Sequence, residues 1–154
     1  MNTLFKKLNF KGQKSILSIN YPAGFQAQLN DMASETTILT DPDSAESISF
    51  VIAYVTRQSE IDSIISQIAP KLEADAVLWF CYPKGSSKRY KCDFNRDTGW
   101  ASLGQHDLEP VRQVAIDEDW SALRFRNVDN IKRITRRASM ALTDKAKQRI
   151  INRK

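Results

Sequence analysis

Residues 48–83 read ISFVIAYVTRQSEIDSIISQIAPKLEADAVLWFCYP, and this stretch decides the fold. Ile48–Val55 is apolar almost without interruption. Such a run suits a strand covered on both faces, as in a parallel sheet, because a solvated face would put polar residues at every second position. The period then changes. Ile61, Ile64, Ile65, Ile68 and Leu72 fall at helical spacing, with Thr56 or Ser59 as the N-cap and Pro70 ending or kinking the helix. Ala76–Tyr82 is a second buried strand, stopped by Pro83. Strand, helix, strand in this order is the crossover unit of a parallel sheet.

Working outward, Ser15–Asn20 is a short apolar strand, turned by Tyr21-Pro22-Ala23-Gly24 into a helix over Phe25–Met32. Thr36–Thr40 is a β-branched strand ending at Asp41-Pro42. Beyond the central unit, Lys84–Arg96 is a polar, basic loop. Asp97 or Thr98 caps a short helix carrying Trp100 and Leu103. Val111–Ile116 and Ala122–Phe125 are two last strands, and the short link Asp117–Trp120 favours an antiparallel pair. The expected fold class is therefore α/β: a small Rossmann-like, mostly parallel sheet closed by an antiparallel C-terminal strand, with a basic helical tail.

Charge divides the chain. Residues 129–154 hold nine Lys or Arg against two Asp, a charge of +7; the whole chain carries +5, so residues 1–128 carry −2. The expected organisation is an α/β core over 1–128 and a basic helical tail over 129–154. A length of 154 residues suits one domain with a sizeable core. No apolar run approaches the ~20 residues of a membrane span, and the charged N-terminus lacks a signal core, so a cytoplasmic protein without membrane contact is expected. Cys81 in a buried strand and Cys92 in the loop beyond it read as free thiols of a reducing compartment. With His106 they lack the paired spacing of a zinc site, and no metal is expected.

Two longer segments carry a resemblance. LWFCYPKGSSKRYKCDFNRDTGWASL (78–103) and EPVRQVAIDEDWSALRFR (109–126) contain Tyr82-Pro83-Lys84, then Arg96-Asp97-x-Gly99-Trp100, then Val114-Ala115-Ile116-Asp117-x-x-Trp120-Ser121-Ala122-Leu123-Arg124-Phe125-Arg126. This pattern resembles a bacterial family of small domains of unknown function. The resemblance implies a degenerate methyltransferase-like α/β fold and brings no established reaction with it.

Ligands of an open parallel sheet sit beyond the carboxyl ends of its strands. There the chain delivers Asn20 and Tyr21, then Thr56 and Arg57, then Tyr82, Pro83 and Lys84, and last Asp117 and Trp120. The candidate ligand-binding residues are Lys84, Asp93, Arg96, Trp100, Asp117 and Trp120, a rim of both charge signs suited to a small acidic ligand. Each also has a structural reading: a capping Asp, core tryptophans, a paired Lys. An adenosylmethionine site needs glycines after the first strand, so that backbone N–H groups can approach a carboxylate. Here that loop holds one glycine, and Pro22 removes a donor. Asp41 has the position of a ribose-holding acid or, equally, of a turn before Pro42. No cofactor is expected. His106 is the only histidine and lies in a turn, and Lys84-Gly85-Ser86-Ser87 lacks the frame of a phosphate loop, so no catalytic residue is assigned. In the tail, Lys132, Arg133, Arg136 and Arg137 form a basic cluster without aromatic residues, which suits weak nucleic-acid binding through phosphates alone. Three functions stay open: a non-catalytic ligand-binding or accessory domain, a nucleic-acid-associated protein acting through its tail, and an enzyme using Lys84, Arg96 and Asp117 on a small molecule.

Overall fold

The two apolar runs of the central stretch pair with each other as neighbours in the middle of a six-stranded sheet. The computed structural model describes residues 2–94 and 99–131. Its strands are β1 (Ser15–Ile19), β2 (Thr37–Leu39), β3 (Ile48–Tyr54), β4 (Leu72–Pro83), β5 (Leu108–Ala115) and β6 (Trp120–Asn127). They lie in the order β2-β1-β3-β4-β6-β5. β1 to β4 pair in parallel; β6 runs antiparallel to β4 and β5 antiparallel to β6. The fold is thus the expected mostly parallel α/β sheet. The last strand inserts between β4 and β5 and leaves β5 at the edge, pointing the same way as β1–β4.

Two cores follow from the alternation of side chains across the strands. On one face Val51, Ala53, Leu78, Phe80, Leu123 and Phe125 meet α3 (Gln58–Ile68) and α4 (Ala101–Gly104). On the other, Phe50, Ile52, Trp79 and Ala122 meet α1 (Thr3–Lys7) and α2 (Gln26–Met32). Complete burial of Phe50, Val51, Ile52 and Ala53 matches their continuous apolar run.

Several boundaries differ from the sequence reading. Helix α3 stops at Ile68, a 3-10 turn carries Pro70, and Leu72 already belongs to β4. Its N-cap residue is Arg57, not Thr56 or Ser59. Glu60 reaches back instead, its Oε1 accepting from Thr56 N (2.9 Å), Thr56 Oγ1 (3.1 Å) and Arg57 N (3.0 Å). Trp100 is the N-cap residue of α4, and the expected caps Asp97 and Thr98 lie outside the described residues. Helix α1, absent from the elements expected above, packs Phe5 into the second core together with Leu8 at its C-cap, and Leu8 O accepts from Trp79 Nε1 at 2.8 Å. The helical tail expected over 129–154 lies almost wholly outside the described residues. No helix among the described residues is long and apolar enough to cross a membrane.

Candidate functional site

The chain leaves β1, runs outward to β2, then crosses back to β3 on the other side of β1. The connections therefore diverge between the carboxyl ends of β1 and β3, which is where open α/β sheets leave a crevice. Asn20 turns the chain there with φ at +57°, a left-handed conformation that asparagine tolerates better than most residues. A cleft opens around it in two connected parts that share Asn20 and Glu60. One part, about 380 Å³, lies between Asp41 and α3 and presents Ser59, Ser63 and Gln67. The other, about 320 Å³, is walled by Pro22, Ala23, Tyr54, Tyr90 and Trp120. Both volumes fall within the range of small-molecule sites.

The lining holds two carboxylates and no Lys or Arg among the described residues. Glu60 Oε1 is occupied by the α3 entry, and Oε2 has no donor among the described residues. Asp41 Oδ1 accepts from Asp43 N at 2.9 Å and opens a turn, as its place before Pro42 suggested. The aromatic wall is rigid: Trp120 packs edge-on to Tyr54 (4.9 Å between ring centres) and tilted against Tyr90 (4.9 Å). Tyr54 is only 2% exposed, and its hydroxyl is buried without an oxygen or nitrogen partner. Burial pushes this phenol far above its ordinary range, and the neighbouring Cys81 and Asp117 add to the shift. Burial likewise raises the Cys81 thiol, against the opposing effect of the Tyr54 hydroxyl beside it.

The residues singled out from sequence are distributed around this edge as follows. Lys84 follows β4, its backbone N donating to Asp119 O at 2.8 Å, so Lys84 and the β5–β6 hairpin share one end of the sheet. Asp117 Oδ1 accepts from the backbone N of Asp119 (2.8 Å) and Trp120 (2.9 Å) and shapes that hairpin. Asp93 Oδ1 accepts from Gln58 N (2.8 Å) at the start of α3. Trp100 is 2% exposed and sits among Phe80, Tyr82, Phe94 and Phe125 in the first core, away from any cleft wall. Of the five that are described, Trp120 alone lines the cleft. Arg96 lies outside the described residues, as do Lys132, Arg133, Arg136 and Arg137. Tyr54, Glu60 and Tyr90 were not singled out. Glu60 carries a usable signal, since a Glu at the third helical position is a common reciprocal cap, but Arg57 stands where Ser or Thr usually announces it.

Elsewhere, Ser87 Oγ donates to Asp119 Oδ1 (2.8 Å) and tethers the basic loop, whose Lys88, Arg89 and Lys91 are exposed. His106 lies at the opposite, amino end of the sheet, in a hollow of about 430 Å³. Both cysteines are free thiols. No group of three or more His, Cys, Asp or Glu among the described residues is placed to hold a metal ion.

No protein-family model matches the chain, and no curated protein matches it in sequence. Solved structures match it in shape. The N-methyltransferase NodS from Bradyrhizobium japonicum WM9 is 16% identical, over 82% of this chain and 93% of that one, with a TM-score of 0.52. A SAM-dependent methyltransferase from Aquifex aeolicus is 12% identical over 81% and 88%, with a TM-score of 0.57. Magnesium protoporphyrin IX methyltransferase from Synechocystis PCC 6803, with bound SAM, is 12% identical over 79% and 73%, at 0.50. At these identities the likeness is one of fold, and the chain has a Rossmann-like, methyltransferase-like fold.

Proposed function

We propose that this chain is a non-catalytic ligand-binding domain whose ligand sits in the cleft between the ends of β1 and β3. The observation that carries this reading is the make-up of the lining: two carboxylates, several hydroxyl and amide groups, an aromatic wall, and no cation among the described residues. Carboxylates and amides accept from hydroxyls, and an aromatic wall suits a flat ring. The ligand class that fits is a neutral or cationic nucleoside-like molecule. The same lining disfavours the small acidic ligand expected from the rim of Lys84 and Arg96.

Adenosylmethionine, which the fold brings to mind, fits in part. Asp41 stands after β2 where a ribose diol would find an acceptor. The amino-acid half fits poorly. Pro22 has no N–H and Ala23 carries a Cβ, both at the wall where a carboxylate would need backbone donors, and no basic side chain among the described residues replaces them. The one histidine, His106, lies at the other end of the sheet, so a proton moved in the cleft would fall to Glu60 or Asp41. Membership of the small-domain family, a bacterial source and a cytoplasmic location belong to the same proposal; the pattern over residues 82–126 and two free thiols support them.

Calorimetry with adenosine, methylthioadenosine and adenosylmethionine tests the reading. Saturable binding of the first two, with adenosylmethionine no tighter than adenosine, is expected. Adenosylmethionine binding at least tenfold tighter than adenosine would mean that the loop does hold the carboxylate, and the reading fails. A second reading, nucleic-acid association through the basic tail, is favoured by the charge asymmetry of the chain and is tested separately below.

A further inference from the structure

The outer half of the sheet carries a charge arrangement that the cleft does not use. In β6, Trp120, Ala122, Arg124 and Arg126 share one face, because Trp120 and Ala122 pack in the second core while Leu123 and Phe125 pack in the first. On this face Arg124 is flanked by Trp79 of β4 and by Arg112 of β5. Like charges directly opposite on an antiparallel pair are destabilising. Both acids of this face stand elsewhere. Asp75 makes a two-pronged bond to Arg126 (2.9 and 2.7 Å), and buried Glu109 is opposite Arg126. Among the described residues neither Arg112 nor Arg124 has an ion-pair partner. Arg124 Nε is buried with no hydrogen-bond acceptor. Burial, with Arg126 and Arg112 adding to it, lowers the pKa of the Arg124 guanidinium against the pull of Asp75.

The backbone makes this arrangement deliberately. Pro110 pairs with Phe125 and Arg112 with Arg124, so Val111 is an extra residue, a bulge in the edge strand. Without it Val111 would stand opposite Arg124 and the two charges would be apart. Unsatisfied buried donors and like-charge pairs persist where something not in the fold satisfies them. Arg112, exposed, and Arg124, half-buried, hold opposed positions on one antiparallel pair, and two guanidinium forks so placed suit the oxygens of a tetrahedral oxyanion. We infer that Arg112 and Arg124, opposite each other on the β5–β6 pair, form a binding site for a phosphate group. A phosphorylated small molecule and a nucleic-acid backbone both present that group.

The test uses the full chain in two arms. In the first, thermal unfolding is followed in sodium chloride and in sodium phosphate of equal ionic strength. Phosphate at roughly ten times Kd raises the Tm by about 3–6 °C. Arg112→Gln relieves the like-charge pair, so its Tm in chloride equals or exceeds that of the parent while the phosphate increment is lost. Arg124→Lys keeps the charge but loses the fork, and reduces the increment. In the second arm, a fluorescein-labelled single-stranded oligonucleotide is titrated by anisotropy. A loss of fivefold or more in affinity on Arg112→Gln assigns the phosphate to a nucleic-acid backbone, with or without a phosphate increment. An increment lost in Arg112→Gln, with oligonucleotide binding unchanged, assigns it to a small molecule. The inference is overturned if neither probe separates parent from Arg112→Gln, or if sulfate and phosphate raise the Tm of both equally.

Discussion

Tyr54 and Cys81 are neighbours across the β3–β4 pair, both buried, both held neutral by the cost of taking a charge out of water. Their folded pKa values lie above the unfolded ones, so the folded state keeps protons that the unfolded state releases. Stability from this source is fully present below the unfolded thiol value of about 8.5 and is lost as pH rises past it, then past about 10 for the phenol. The urea midpoint should therefore fall between pH 7 and 10.5; a midpoint that stays flat over that range would refute the assignment. Tyr54→Phe should flatten the upper part of that fall. Removing a hydroxyl that has no oxygen or nitrogen partner should itself be neutral or stabilising by up to about 1 kcal/mol at pH 7. The two thiols should also differ in access. Cys92 is half-buried, with Sγ donating to Phe94 O, whereas Cys81 is fully buried. Timed alkylation should modify Cys92 in the native protein and Cys81 only on unfolding. Equal rates, or a Cys81–Cys92 disulfide in fresh protein, would contradict this. At this scale the sequence was only partly legible. Trp120 stood out because it follows the strand Val111–Ile116 in the link to the last strand; the structure makes it the first residue of β6. Trp100 was not separable from it by composition, since only the packing of α4 against Phe80 and Phe125 makes it core. Asp93 and Asp117 looked like ligand groups and accept from backbone N–H groups, Asp117 within its own hairpin and Asp93 from Gln58 at the start of α3; the first is a local competition that side-chain chemistry alone does not decide, and the second exists only in the folded chain.

Among elements, the central strand–helix–strand unit was legible because its two periods differ: unbroken burial over Phe50–Tyr54 of β3 and Val77–Pro83 of β4, four isoleucines on one face of α3. Helix α1 was not. Five residues give no helical period, and a helix that short is unstable alone, so its existence rests on tertiary contacts. Those contacts are Phe5 and Leu8 in the second core and the Trp79 bond to Leu8 O. Trp79→Phe should remove that bond and leave the Leu8 carbonyl unpaired, at a cost of about 1–3 kcal/mol, more with the cavity it leaves. Hydrogen exchange should then show faster opening of residues 3–10 than of β3. Uniform loss of protection across the sheet would mean that α1 does not open as a separate unit. The loop–α4 junction depends on one glycine. Gly99 has φ at +88°, and a Cβ there would lie 2.8 Å from Phe94 Cβ. Gly99→Ala should thus cost stability through both strain and overpacking, by about 1–3 kcal/mol. A melting temperature equal to the parent's would show that Phe94 can move aside.

For the whole molecule the division of charge is the partner signal, and the body refines where to test it. Val128 is fully buried, and its N–H donates to Asp107 O at 2.9 Å, so the core extends past β6. A deletion meant to spare the body should begin after Ile131, not at residue 129. Residues 132–154 hold nine Lys or Arg and one Asp, +8, which leaves −3 on residues 1–131. A body of that sign repels a polyanion weakly, while the removed segment attracts one. Binding through phosphates releases counterions, so log Kobs should fall with log salt by about 0.7 per phosphate neutralised on a single strand, with little preference among sequences. The expected result is weak, salt-sensitive oligonucleotide binding by the full chain that drops sharply on deleting residues 132–154, with the melting temperature unchanged. The rival account is that Ile134, Ile150 and Ile151 bury against the body. Each large side chain so buried contributes about 1.5–3 kcal/mol, so deletion would then lower the melting temperature by several degrees. That drop, together with no oligonucleotide binding by the full chain at low salt, would leave the basic segment a structural part of the fold and remove the nucleic-acid reading.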